Sequence, residues 1–163
     1  MRSSTLISSL GLAALTVAAP VTSQVNQIIT AENIYYTCSS GGCLWSLNAE
    51  APDQGTGFPA INTTCEGTRY DRNYVPCENI TPTETGVTAQ NLSAWIEIRN
   101  NPDYNPYTRN TYIPPPLLHL KYEVSVQDGG SYTWIAQKES YTAAQPASVP
   151  EVVVPVVNAT AVL

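Results

Sequence analysis

The chain has 163 residues, with 13 acidic side chains against 7 basic ones and a formal net charge of −6. That length makes one domain the expectation. The missing basic stripe argues against nucleic acid and against an anionic membrane surface as partners.

Residues 1–23 read as a secretory leader. Arg2 gives a positive start, Leu6 to Ala19 is apolar and uncharged, and small residues follow at Val17-Ala18-Ala19 and Val21-Thr22-Ser23. This is the order of a signal peptide. The cut is expected after Ala19 or after Ser23, and Pro20 favours the second. The apolar run is shorter than the about 20 residues a bilayer span needs, and no later segment reads as a span.

Next come β-prone residues. Ile28-Ile29 and Ile34 to Cys38, followed by Leu44 to Ala49 beyond a Gly-Gly turn, predict an N-terminal hairpin. Residues 51–59, "APDQGTGFP", read as a loop from their Pro and Gly content. A short strand is expected at Ala60–Cys65, and another entering Cys77 through Tyr74-Val75.

The four cysteines, Cys38, Cys43, Cys65 and Cys77, follow a leader in an even number and so read as a disulfide framework. A zinc site would need them reduced, and no C-x-x-C redox spacing occurs. The favoured pairing is Cys38–Cys43, across a four-residue turn, with Cys65–Cys77, around a polar loop. The crossed pairings stay open. Aliphatic residues are sparse between residues 24 and 145, so the core is expected to lean on Tyr, Trp and β-branched residues, with 10 tyrosines and 3 tryptophans in the chain.

Ala94 to Arg99 alternates as a half-buried strand, with Ala94, Ile96 and Ile98 on one face and Trp95, Glu97 and Arg99 on the other. The clearest signal follows it. Leu118, Leu120, Tyr122, Val124 and Val126 share one face, and Leu117, His119, Lys121, Glu123, Ser125 and Gln127 share the other. Asp128 to Ser131 supplies a turn and Tyr132 to Gln137 returns, which predicts a hairpin. His119, the single histidine, is expected to face solvent rather than act as a general base. A long loop separates these strands, and its Tyr104, Tyr107, Arg109 and Tyr112 form a possible binding loop for a sugar or a protein. From about residue 144 the repeated Pro and small residues read as a disordered tail. The apolar end, "VVVPVVNATAVL", would suit a lipid-anchor signal poorly, because Pro155 and Asn158 interrupt it.

Four sequons begin at Asn62, Asn79, Asn91 and Asn158, each a possible N-glycan acceptor in a secreted chain. The acidic residues form no recognised motif, so no catalytic, cofactor or metal residue is assigned. The expected fold is all-β: a small antiparallel β-barrel or β-sandwich over 24–143, stapled by disulfides.

The stretches "INTTCEGTRYDRNYVPC", "SAWIEIRN" and "LLHLKYEVSVQDGGSYTWIAQ" together resemble small secreted proteins of filamentous fungi. More narrowly, they are similar to the Alternaria-major-allergen-like β-barrel family. The chain departs from that pattern in having no cysteine pair after the hairpin and a longer loop at 100–116. The resemblance implies an extracellular, non-enzymatic barrel, effector-like, elicitor-like or allergen-like, with a protein or carbohydrate partner outside the cell. A small secreted hydrolase acting on polysaccharide or ester, or a structural cell-wall component, is the alternative.

Overall fold

A computed structural model describes residues 27–39, 42–55, 57–68, 71–82, 84–97, 116–139 and 151–162. Eight strands follow in chain order: β1 (Ile28–Ser39), β2 (Gly42–Ala51), β3 (Ile61–Thr68), β4 (Val75–Pro76), β5 (Val87–Glu97), β6 (Leu117–Val126), β7 (Ser131–Glu139) and β8 (Val152–Val162). All pairings are antiparallel, and the strand order is β3-β2-β1-β8-β7-β6-β5-β4. The sheet curls until its two edges, β3 and β4, meet, which makes a nearly closed barrel. The expected all-β class is what the chain adopts.

Alternation sorts each strand into an inner and an outer face. Leu118, Leu120, Tyr122 and Val124 of β6 point inward and are buried, as the sequence pattern predicts. They meet Leu92, Ala94 and Ile96 of β5, Trp134 and Ala136 of β7, and Trp45, Leu47 and Ala49 of β2 in one core. The β6–β7 hairpin turns at residues 127–130, where Gly129 takes φ +85° and Val126 N donates to Gly130 O at 3.0 Å. The N-terminal hairpin also forms. Its β1 strand is bulged between Glu32 and Tyr35, with Asn33 at φ 50°, a conformation Asn tolerates better than most residues.

One expectation is corrected. The segment read as a disordered tail contains β8, an 11-residue strand, and it lies inside the sheet. β8 pairs with β1 at four positions and with β7 at six. It therefore joins the N-terminal strands β1–β3 to the meander β4–β7. The β domain extends to Val162. Val154 is fully buried against Ile29, and Val152 and Val156 pack on the same core. Pro155 has no N–H to give, so a place inside a sheet demands a reason. It pairs with Ile28, and Val156 N donates to Gln27 O at 3.0 Å. The alternation of an antiparallel ladder then turns the Pro155 nitrogen towards β7, just beyond the last β7 pair, Ala136–Val156. No ladder bond is lost there.

The 51–59 loop closes one end of the barrel. Gln54 copies a strand edge: its Oε1 accepts from Ile28 N at 3.0 Å and its Nε2 donates to Ile28 O at 2.7 Å. The loop inserts Phe58, fully buried, edge-on against Tyr122 and Trp134 with ring centroids 5.0 Å apart in each case. Tyr122 Oη donates to Pro59 O at 3.2 Å. Four rings, Trp45, Phe58, Tyr122 and Trp134, are buried beside ten Ile, Leu and Val side chains; among the described residues Tyr122 is the one tyrosine in that buried set, so tyrosine contributes less to the core than the sequence predicts.

Burial pushes the Tyr122 phenol well above its ordinary value, and the Glu84 carboxylate adds to the shift. The folded state holds this phenol neutral while the unfolded chain ionises it near pH 10. Its contribution is therefore fully present below about pH 10 and lost as pH rises further. Denaturation followed from pH 8 to 12 is expected to show a plateau and then a fall. Tyr122→Phe is expected to start about 0.5–1.5 kcal/mol lower for the lost hydrogen bond and to fall less steeply above the plateau.

Gly67 of β3 faces Trp45 of β2. A Cβ at this position would lie 2.3 Å from the indole Cζ2. Trp45 cannot swing aside cheaply, being buried with its Nε1 donating to Thr68 O at 3.3 Å. Gly67→Ala is expected to cost about 1–3 kcal/mol by overpacking, read from the urea midpoint.

Candidate functional site

Three features of the barrel wall carry the residues with chemical potential. The first is the seam where β3 meets β4. Cys65 and Cys77 are bonded across it, with Cα atoms 4.2 Å apart, and Cys65 is fully buried. Glu78 N donates to Thr64 O and Thr63 Oγ1 donates to Glu78 O, both at 2.8 Å. Cys77 N donates to Leu92 O at 2.9 Å, which ties the bridge to β5. The favoured Cys65–Cys77 pairing thus joins the two ends of the sheet. At the other hairpin, Cys38 and Cys43 are Cα partners in the β1–β2 register, the placement expected for a bridge. Their side chains lie outside the described residues.

The second feature is an aromatic and polar row on the outer wall. Register places Trp95 of β5, His119 of β6 and Gln137 of β7 side by side. Trp95 and His119 stack, with centroids 4.5 Å apart and planes at 19°. Tyr74 meets the imidazole edge-on at 6.4 Å. His119 Nε2 lies 2.9 Å from Glu97 Oε2, and Gln137 Nε2 lies 3.0 Å from His119 Nδ1. One tautomer satisfies both contacts: the neutral ring with its proton on Nε2 donates to the carboxylate and accepts from the amide at Nδ1. His119 is on the outward face, as expected, but it is not open to solvent. Its exposure is 7%, because residues from the adjoining strands and from the approach to β4 cover it.

The row continues through Lys121, whose Nζ sits 3.0 Å from Glu123 Oε2 and 5.8 Å from the Tyr74 ring centre. This pair is partly exposed and contributes at most about 1 kcal/mol. Burial raises the Tyr74 phenol above its ordinary value, so this ring is a neutral hydrogen-bonding group at physiological pH. The result is a wall with aromatic surfaces at Trp95 and Tyr74, half-exposed carboxylates at Glu97 and Glu123, and one ammonium. Such a set recognises ligands that combine flat apolar faces with hydroxyl or amide groups.

The third feature is a pair of shallow clefts. One, of about 410 Å³, is lined at the β1–β2–β3 side by Tyr35, Leu44, Ser46 and Glu66. The other, of about 550 Å³, lies along the seam between Asn62 of β3 and Asn79 to Thr81.

All four sequon asparagines, Asn62, Asn79, Asn91 and Asn158, are exposed. Asn62 lies in β3, Asn91 in β5 and Asn158 in β8. Tyr104, Tyr107, Arg109 and Tyr112 lie outside the described residues, as do residues 1–26 and 140–150. Among the described residues no group of three or more metal-ligating side chains converges, and no helix is long and apolar enough to cross a membrane. Sequence reasoning missed the Trp95–His119–Gln137 row, because only the register of three strands brings those positions together. The available signal was that Trp95 and His119 each fall on the polar face of their own strand.

No family model matches this chain, and neither a curated protein nor a solved structure matches it.

Proposed function

We propose that this is a secreted, disulfide-bonded fungal protein that acts by binding, in the manner of effector-like or allergen-like proteins at a host or cell-wall surface. Its partner is a protein or carbohydrate outside the cell, and the binding surface is the outer wall around Trp95. The observation that carries this reading is the fixed row of Trp95, His119 and Gln137. Cross-strand stacking and two hydrogen bonds hold these side chains before any ligand arrives, and preorganisation of this kind reduces the cost of association. The same bonds occupy both ring nitrogens of His119, leaving neither free to take a proton from a nucleophile. That weighs against the secreted hydrolase as the leading alternative.

The resemblance to small secreted fungal proteins and the leader support export. A buried bridge at the seam suits an oxidising space.

The test is a binding survey of the secreted protein against purified wall polysaccharides and plant extracellular proteins. Any interaction found is then measured with Trp95→Ala and Tyr74→Ala. Truncating an aromatic anchor costs about 2 kcal/mol or more, roughly thirtyfold in Kd. Binding that survives both substitutions unchanged would refute the site. Steady release of product from a polysaccharide or ester would replace the reading with the hydrolase. Retention in the insoluble wall fraction, with no saturable partner, would favour the structural component.

A further inference from the structure

Among the described residues the seam is bridged at one level only. β3 pairs with β2 along its whole length. On its other side, the backbone bond in place is the one from Glu78 N to Thr64 O. The ladder alternates, so Asn62, two residues before Thr64, turns its N–H and C=O towards the same seam. Among the described residues no backbone partner meets them. Opposite, Ile80 is drawn away into a bridge with Gln90 of β5. The wall therefore opens here into the cleft of about 550 Å³. An unpaired strand edge of this kind invites pairing with another chain.

Two of the four sequons line that one opening. Asn62 stands on the β3 rim and Asn79 on the facing rim, and both are exposed. In the chain they are 17 residues apart. The Cys65–Cys77 bridge brings them to one place, three residues after Asn62 and two before Asn79. Asn91 and Asn158, by contrast, lie away from the seam, Asn91 paired with Glu123 of β6 and Asn158 with Ile135 of β7.

We infer that Asn62 and Asn79 carry N-linked glycans and that these two glycans shield the open stretch of the seam from edge-to-edge association with other chains. This rests on the secretion proposed above. A branched, hydrated sugar at each rim blocks the approach of an extended strand to the Asn62 backbone. It performs the task that charges, prolines or a covering loop perform at other sheet edges.

The experiment uses the full chain, secreted from a eukaryotic host. Peptide mapping reports the leader and the occupancy of each sequon. The folded glycoprotein is then trimmed enzymatically to single sugars, and its mass in solution is followed by light scattering on a sizing column. Asn62→Gln/Asn79→Gln and Asn91→Gln/Asn158→Gln are compared in the same way. The expected result is occupancy at both Asn62 and Asn79, and a shift from monomer to higher mass on trimming and in the first double variant but not the second. Trimming acts after folding, so a folding failure of the variants does not obscure it. A cleaved leader with Asn62 or Asn79 unmodified would overturn this inference and leave the proposed export standing. So would a trimmed protein that stays monomeric. An intact leader with no sugar at any sequon would overturn both.

Discussion

A chain ending at Glu151 is expected not to reach the folded barrel. It lacks β8, and with it four pairs to β1 and six to β7. The N-terminal strands and the β4–β7 meander would then keep the seam and the contacts of the 51–59 loop with Tyr122 and Trp134, but no strand ladder between them. Ile29 and Ala136, both fully buried beside β8, would be uncovered. Typical domains are stable by only about 5–15 kcal/mol, and a loss of this size exceeds what such a domain can absorb. A paired substitution tests the same point without removing chain. Val154 is fully buried, whereas its neighbour Val153 is 44% exposed on the outer face. Val154→Asp places a carboxylate in the core with no partner and is expected to unfold the protein or to cost at least about 3 kcal/mol. Val153→Asp is expected to stay within about 0.5 kcal/mol of the parent. Circular dichroism and urea titration of the two report the register directly. Equal effects would mean that β8 is misplaced.

The second large effect is expected from the seam. Cys65→Ser/Cys77→Ser removes a bridge between positions 12 residues apart. The chain-entropy estimate for a loop of that length is about 3 kcal/mol, which lowers Tm on the order of 10 °C for a domain of this size. The loss has a location as well as a size. The seam's two hydrogen bonds, from Glu78 N and from Thr63 Oγ1, lose their covalent clamp. Amide exchange at Glu78 and Cys77 is therefore expected to accelerate far more than exchange at Leu120 in the centre of β6. A variant with the parent's Tm and exchange pattern would mean that the bridge does not hold the barrel closed.

The two regions differ in how far the sequence announces them. The β6–β7 hairpin is legible because period-two alternation runs unbroken from Leu118 to Val124 and a Gly-containing turn follows. The Cys65–Cys77 bridge is legible because an even cysteine count after a start that reads as a leader suggests an oxidised framework. β8 is hidden for a physical reason. Its ladder with β7 shifts register between Ile135 and Ala136, so its inward positions, Val154 and Val156 and then Ala159, break the simple alternation. Pro155 marks the strand as irregular, and the gap in the β7 ladder that accommodates it belongs to the tertiary structure. His119 is a milder case. Its outward direction follows from alternation, but its burial depends on Trp95, Glu97 and Gln137 arriving from other strands. Such long-range register is not written in any one segment.

We propose that the disulfide at the seam of the barrel forms outside the reducing cytosol. Thiol titration and non-reducing peptide mapping of native, secreted material test that most directly. The expected result is a mature chain lacking its first 19 or 23 residues, with Cys65 and Cys77 in one linked peptide pair. A full-length chain beginning at Met1, with Cys65 and Cys77 both reacting as free thiols, would contradict it.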